Sequence, residues 1–258
     1  MIRERAASRE TIHAVVTPFL PYLGAFIIGL SKAGFAAGLG MLTTPLVAAA
    51  MPARVAIGLV LPLLCVADAM STVMYWRKVD FAKVRSPLMG ALVGIALGML
   101  FVTKVSNRTL TLSIGVVGLV MTTLLIVRAR WFPHATYKPR LADSLAIGIA
   151  CGFSSTIAHA AGPIFALFLL AQRVSKEAFV AANGIFFVVV NLLKVPPYVA
   201  SGLINMETLR HGLALLPMIP LGVFAGWTAN RMLPQRHFDV IVYVLLLITS
   251  LQLIVSSL

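Results

Sequence analysis

The chain is 258 residues long, 60% hydrophobic and only 11% charged, with a mean hydropathy of +0.97. Water-soluble domains carry about a quarter of their residues charged, so this composition excludes a soluble globule and puts most of the surface in lipid. The net charge of +13 sits in short clusters between apolar runs: Arg3, Arg5 and Arg9; Arg77, Lys78, Lys83 and Arg85; Arg128, Arg130, Lys138 and Arg140. That is the pattern of cytoplasmic loops, and with no basic face clear of the membrane it argues against a nucleic-acid partner.

A spanning helix needs about twenty mostly apolar residues. After a basic tail (1–12), the first repeat (13–127) holds the long runs Ala14 to Ser31, Val55 to Tyr75, Pro87 to Val102 and Leu110 to Val127, with a short run, Phe35 to Ala50, after the first. The first run is followed by further membrane segments and lacks a small-residue cleavage site, so it reads as a span and not as a removable signal. A basic linker with Pro133 and Pro139 follows (128–143). The second repeat (144–258) holds Leu145 to Ala158, the short run Pro163 to Ala171, Phe179 to Ala200, Leu213 to Ala229 and Val240 to Val255.

Features recur between the halves with a period of roughly 125 residues. Gly29-Leu30-Ser31 answers to Gly152-Phe153-Ser154, Gly94 and Gly98 to Gly222 and Gly226, and Asn107-Arg108 to Gln235-Arg236. The expected fold is an all-α polytopic membrane protein: two repeats, each of four long spans plus one short or broken segment. If the short runs do not cross, the halves are parallel; if they cross, ten segments form inverted halves with the tail outside. Trp76 to Arg85 carries four basic residues and its counterpart Leu203 to His211 only Arg210, which favours opposite sides and inversion. The Arg3, Arg5, Arg9 tail argues the other way.

Polar groups within spans are costly, and each is a candidate site. Ser31 and Lys32 lie in a glycine-rich stretch, Gly29 to Phe35, between a long and a short run. It reads either as a broken-helix anion site, with free N–H groups beside an ammonium, or as a loop with a snorkelling lysine. The matching place in the second half gathers Ser154, Ser155, Thr156, His159, Gly162 and Pro163; Pro163 suits the first turn of a new helix whose N–H groups point back at His159. Asn191 and Lys194, at i and i+3, share one helix face. Asp68 is the carboxylate well inside an apolar run, a proton relay or a structural partner of a lysine. The excess of buried cations points to an anionic substrate, and two broken segments at matching positions point to a transporter's midplane site.

Cys65 and Cys151 lie inside apolar runs, as packing residues do, and neither a disulfide framework nor a metal-ligand spacing is present. No HExxH, GxSxG or nucleotide-binding loop occurs, so no enzyme, metal or cofactor is expected and active transport would draw on an ion gradient.

At these residues the sequence resembles the TauE/SafE family of sulfite and sulfonate exporters, from about Leu23 to Ile254. The likeness rests on Gly29 to Phe35, Thr44-Pro45, Leu61 to Leu64 leading to Asp68, Tyr75 to Asp80, Ala158 to Pro163, and Asn191 to Tyr198. Alanine stands at positions 33 and 161, where members of that family often have a further glycine. The resemblance implies a duplicated multi-span carrier in the cytoplasmic (inner) membrane that exports sulfite or an organosulfonate by a gradient; apart from the resemblance, the proton is a candidate coupling ion. It adds weight to Lys32, His159, Asn191 and Lys194 as substrate-binding residues. The rival readings are a passive anion channel of the same architecture and a membrane-embedded enzyme using His159 and Asp68.

Overall fold

A computed structural model describes residues 17–32, 39–73, 80–131, 138–172, 174–232 and 235–258. All regular structure among them is helical: α1 (Leu20–Lys32), α2 (Thr43–Ala48), α3 (Ala53–Val73), α4 (Phe81–Lys104), α5 (Asn107–Trp131), α6 (Leu141–Ala158), α7 (Gly162–Ala171), α8 (Lys176–Ala200), α9 (Met206–Leu215), α10 (Met218–Met232) and α11 (Gln235–Ser256). Outside the described residues lie the Arg3, Arg5, Arg9 tail, the stretch Ala33 to Gly38, the segment from position 74 to 79 with Arg77 and Lys78, and Pro133 of the linker.

Five helices are long and apolar enough to cross a membrane, or six if α9 and the start of α10 form one bent span. Their outward faces are what lipid requires: Met89, Leu92, Val93, Leu97 and Leu100 of α4, and Ile248, Leu251 and Val255 of α11, are exposed. The protein is a multi-pass membrane protein. Helix starts are set by local chemistry, with Asp80 accepting from the Ala82 N–H at 3.1 Å and Ser175 from the Ala178 N–H at 3.2 Å. At Asn205 and Thr208 a reciprocal pair of 2.9 Å bonds opens α9.

One expected element is corrected. The run Leu213 to Ala229 is not a continuous helix: α9 begins at Met206 and meets α10 at a 41° bend. Pro217 lies at the join; it has no N–H to continue the ladder, and its ring clashes with the carbonyl four residues back.

Two helix pairs approach until backbones touch. On α4 and α6, a Cβ on Gly94 would lie 2.1 Å from the Ile149 carbonyl oxygen, and one on Gly152 2.3 Å from that of Ala91. On α1 and α10, a Cβ on Gly29 would lie 2.0 Å from the Ile219 oxygen, and one on Gly222 2.0 Å from that of Phe26. Only glycine permits such spacing, and small residues are how membrane helices gain packing energy.

Helix directions follow from which residues meet. Gly90 faces Leu145, Gly94 faces Ile149 and Gly98 faces Thr156, so α4 and α6 run parallel. Gly58 meets Leu203, Asp68 bonds Asn191 and Gly184 meets Thr72, so α3 and α8 run antiparallel. Gly115 and Gly118 meet Ser250 while Arg108 reaches the carbonyls of Ser257 and Leu258, so α5 and α11 are antiparallel too.

Candidate functional site

The chain breaks between α6 and α7 because His159 takes a left-handed conformation, φ 51° and ψ 30°. Among the described residues it is the one non-glycine at positive φ, a region that costs an L-residue roughly 1–2 kcal/mol. Its backbone N–H returns to the Ser155 carbonyl at 3.1 Å and ends the helix, and Pro163 starts α7. The resulting tip, His159 to Ala161, is buried in the protein.

Side-chain bonds hold that tip. Lys194, completely buried on α8, donates to the Ser155 carbonyl at 3.1 Å, the Ser155 hydroxyl at 2.8 Å and His159 Nδ1 at 3.0 Å. An ammonium has three N–H bonds, and here each has an acceptor. His159 Nε2 lies 3.0 Å from the Ile57 carbonyl of α3. A carbonyl only accepts, so Nε2 carries the proton, and Nδ1 is the acceptor facing Lys194. One turn further along α8, the Tyr198 hydroxyl donates to the Thr156 carbonyl at 2.6 Å.

A second cluster lies on the other side of Asn191. The buried Asp68 of α3 is ion-paired with Lys32 at the end of α1 and accepts from Asn191 Nδ2 at 2.6 Å. Lys32 also lies over the Phe187 ring, 5.8 Å from its centre, within cation–π reach. Its side chain keeps 18% exposure whereas that of Asp68 keeps 1%, so the ammonium faces residual open space. Phe187 belongs to an aromatic group in which Phe165 and Phe186 stack at 3.8 Å. Asn191 and Lys194 stand on the same helix, α8, which links the clusters.

Of the residues singled out from sequence, Lys32, Asp68, Asn191, Lys194 and His159 are thus gathered between α1, α3, α6 and α8. Gly162 stands at the start of α7 beside them. Ser31 and Ser154 are not brought in: their hydroxyls bond carbonyls of their own helices, Ile28 at 2.7 Å and Cys151 at 3.3 Å. Ser155, one of the three hydroxyls gathered beside His159, holds the site, and so does Tyr198, which was missed as a site residue. Tyr198 stands at i+4 from Lys194 and i+7 from Asn191, so helical spacing was a signal for it. Among the described residues no three His, Cys, Asp or Glu side chains converge as metal ligands would.

A separate cavity of about 740 Å³ opens at the N-terminal ends of α4 and α6. Lys83, Ser86, Lys138, Ser144, Phe168 and Gln172 line it, so α7 returns toward the end of the bundle from which α6 sets out.

A family model described as sulfite exporter TauE/SafE matches residues 22–253, nearly the whole chain. Among curated proteins and solved structures, none matches.

Proposed function

We propose, on the premise that this chain belongs to the sulfite exporter TauE/SafE family, that it is a secondary carrier moving sulfite or an organosulfonate outward across the cytoplasmic membrane by alternating access. The observation that carries this reading is the composition of the buried site. Two ammonium groups, Lys32 and Lys194, share it with one carboxylate, Asp68, and a net positive charge held away from water is what a small oxyanion neutralises. The ammonium of Lys32, partly open and resting on an aromatic face, is where substrate oxygens first land.

The alternating element is a pair of inverted repeats, α1–α5 and α6–α11. Helices α3 and α8 occupy equivalent places in the two halves and run antiparallel, as do α5 and α11; parallel repeats would make equivalent helices run the same way. The glycine contacts support the same exchange. Gly29 meets the residue three before Gly222, and Gly152 meets the residue three before Gly94, as a two-fold relation requires.

Orientation follows from charge. The end of the bundle that holds the cavity carries Lys83, Arg85, Arg130, Lys138 and Arg140, while the opposite end carries Arg54, Lys104, Arg108 and Arg210. The greater number of basic residues makes the first end the cytoplasmic one. The cavity, lined by Lys83, Lys138 and Asp80, of which Lys83 and Asp80 are ion-paired at 3.6 Å, then opens to the cytoplasm.

The double substitution Lys32→Gln with Asp68→Asn exchanges the ion pair for an amide pair and leaves the net charge of the site unchanged. In proteoliposomes it should lose sulfite flux while its unfolding temperature in detergent stays near that of the native chain. Undiminished sulfite flux through this variant contradicts the assignment of Lys32.

A further inference from the structure

The bonds around Lys194 and His159 are complete, and this has a consequence for the transport cycle. All three N–H bonds of Lys194 are committed, to Ser155 O, Ser155 Oγ and His159 Nδ1, and the Nε2 proton of His159 is committed to Ile57 O. In this arrangement neither side chain has a donor to offer a substrate. The one nitrogen lone pair among these groups that can take up a proton is that of His159 Nδ1.

We propose that His159 Nδ1 is the proton site of the carrier, and that its protonation unlatches the α6–α7 tip and creates the second half of the anion site. The reading rests on the transport function above for its purpose, but not for its test. A proton arriving at Nδ1 occupies the lone pair that Lys194 uses, so the Lys194 N–H to Nδ1 bond is lost and two cations face each other. No covalent bond other than the new N–H changes and no electrons move. Lys194 then has one free N–H and His159 has a new one, side by side. An oxyanion placed between them restores both bonds and neutralises the repulsion. Proton and anion therefore bind together. A dianion leaving with one proton carries one net negative charge outward, which an inside-negative potential drives.

Three observations support the latch besides the bond count. His159 sits at a left-handed φ of 51°, a conformation that persists only where surrounding contacts hold it. The bond that is lost ties the His159 ring of α6 to α8, while the Nε2–H bond to the Ile57 carbonyl of α3 is kept, so the tip is released on its α8 side. The remaining groups around it do not compete for the proton: the Tyr198 ring is 6.3 Å away with its hydroxyl on Thr156 O, Asp68 is held by Lys32 and Asn191, and Cys65 on α3 is a free thiol that carries no charge.

Cys151 provides a native reporter, because its thiol is buried beneath the tip, 4.0 Å from the Ala161 carbonyl. In a Cys65→Ser background, labelling by a water-soluble maleimide is compared between the chain with His159 and the His159→Gln variant at the same pH. Gln keeps an acceptor for Lys194 and a donor for Ile57 but takes no proton. The labelling ratio of the two should be near one from about pH 8 to about pH 6 and rise several-fold as the pH is lowered to about 4, the factor that loss of one hydrogen bond of about 1 kcal/mol implies. A ratio that does not change with pH overturns the proposal, whether or not sulfite is transported. If His159→Gln does not fold, Cys151 labelling in the His159 protein, normalised to free cysteine at each pH, must rise on acidification. A flat or falling normalised rate overturns it equally.

Discussion

A buried ammonium is among the most expensive groups a protein can hold, and Lys194 shows what makes one tolerable. It has no water, so each of its protons needs a fixed acceptor, and Ser155 supplies two of the three. Ser155→Ala leaves one N–H without its hydroxyl partner and should cost about 1–3 kcal/mol in chemical unfolding in detergent. Ser154→Ala removes a hydroxyl that bonds only within its own helix, and should stay within about 0.5 kcal/mol of the parent. Equal effects of the two substitutions would contradict the assigned roles.

That contrast also marks how much of the site was legible in the sequence. Lys32, Asp68, His159, Asn191 and Lys194 stood out because a charge or amide inside an apolar run has to find a partner. Serines and threonines do not stand out in this way, since a hydroxyl can satisfy itself on a carbonyl three or four residues back. Ser154 does so, whereas its neighbour Ser155, about 100° round the helix, faces α8. Which of the two faces the site depends on how α6 is rotated against α8, and a local pattern carries no record of that. The pairing of Lys32 with Asp68 has the same character. Each residue was a candidate, but 36 positions separate them and only the fold brings them together.

At the scale of elements, the apolar runs predicted the helices well wherever they were long and uninterrupted. The exception is the α9–α10 join, where average hydropathy hid the break that Pro217 imposes. Glycines were visible as a recurring feature, but their purpose was not, because a glycine in a membrane helix reads equally as a break or as a contact. Here they are contacts. Gly94→Leu would drive a side chain into the backbone of α6, where even a Cβ would stand 2.1 Å from an oxygen, and should lower stability by at least about 3 kcal/mol. Gly212→Ala is the control. Its nearest neighbour would be 3.8 Å from the new Cβ, so that variant should be neutral or gain up to about 1 kcal/mol from helix propensity. Unfolding of purified protein and folded yield read both changes.

At the scale of the whole molecule, topology turns on whether each half crosses the membrane an odd or an even number of times. Hydropathy left that open because the short segments α2 and α7 are ambiguous by length. The crossing of α3 with α8 argues for the odd count, and charge then assigns the faces. In a chain otherwise free of cysteine, Ser201→Cys should react with a membrane-impermeant maleimide added outside intact cells. Lys138→Cys should react only after the membrane is opened. Labelling of both from one side would overturn the inverted arrangement. Each of the two clusters draws on both halves of the chain: Lys32 and Asp68 meet Asn191 and Phe187, and His159 and Lys194 meet Ile57.

Counterflow tests the central claim most directly. Purified protein is reconstituted into liposomes loaded with unlabelled sulfite and diluted into a trace of labelled sulfite. A carrier with one site that alternates between the two faces predicts a transient accumulation of label inside that saturates with internal sulfite and is absent from protein-free liposomes. Label that only equilibrates, without overshoot and without saturation, would contradict alternating access and leave an open anion pathway in its place.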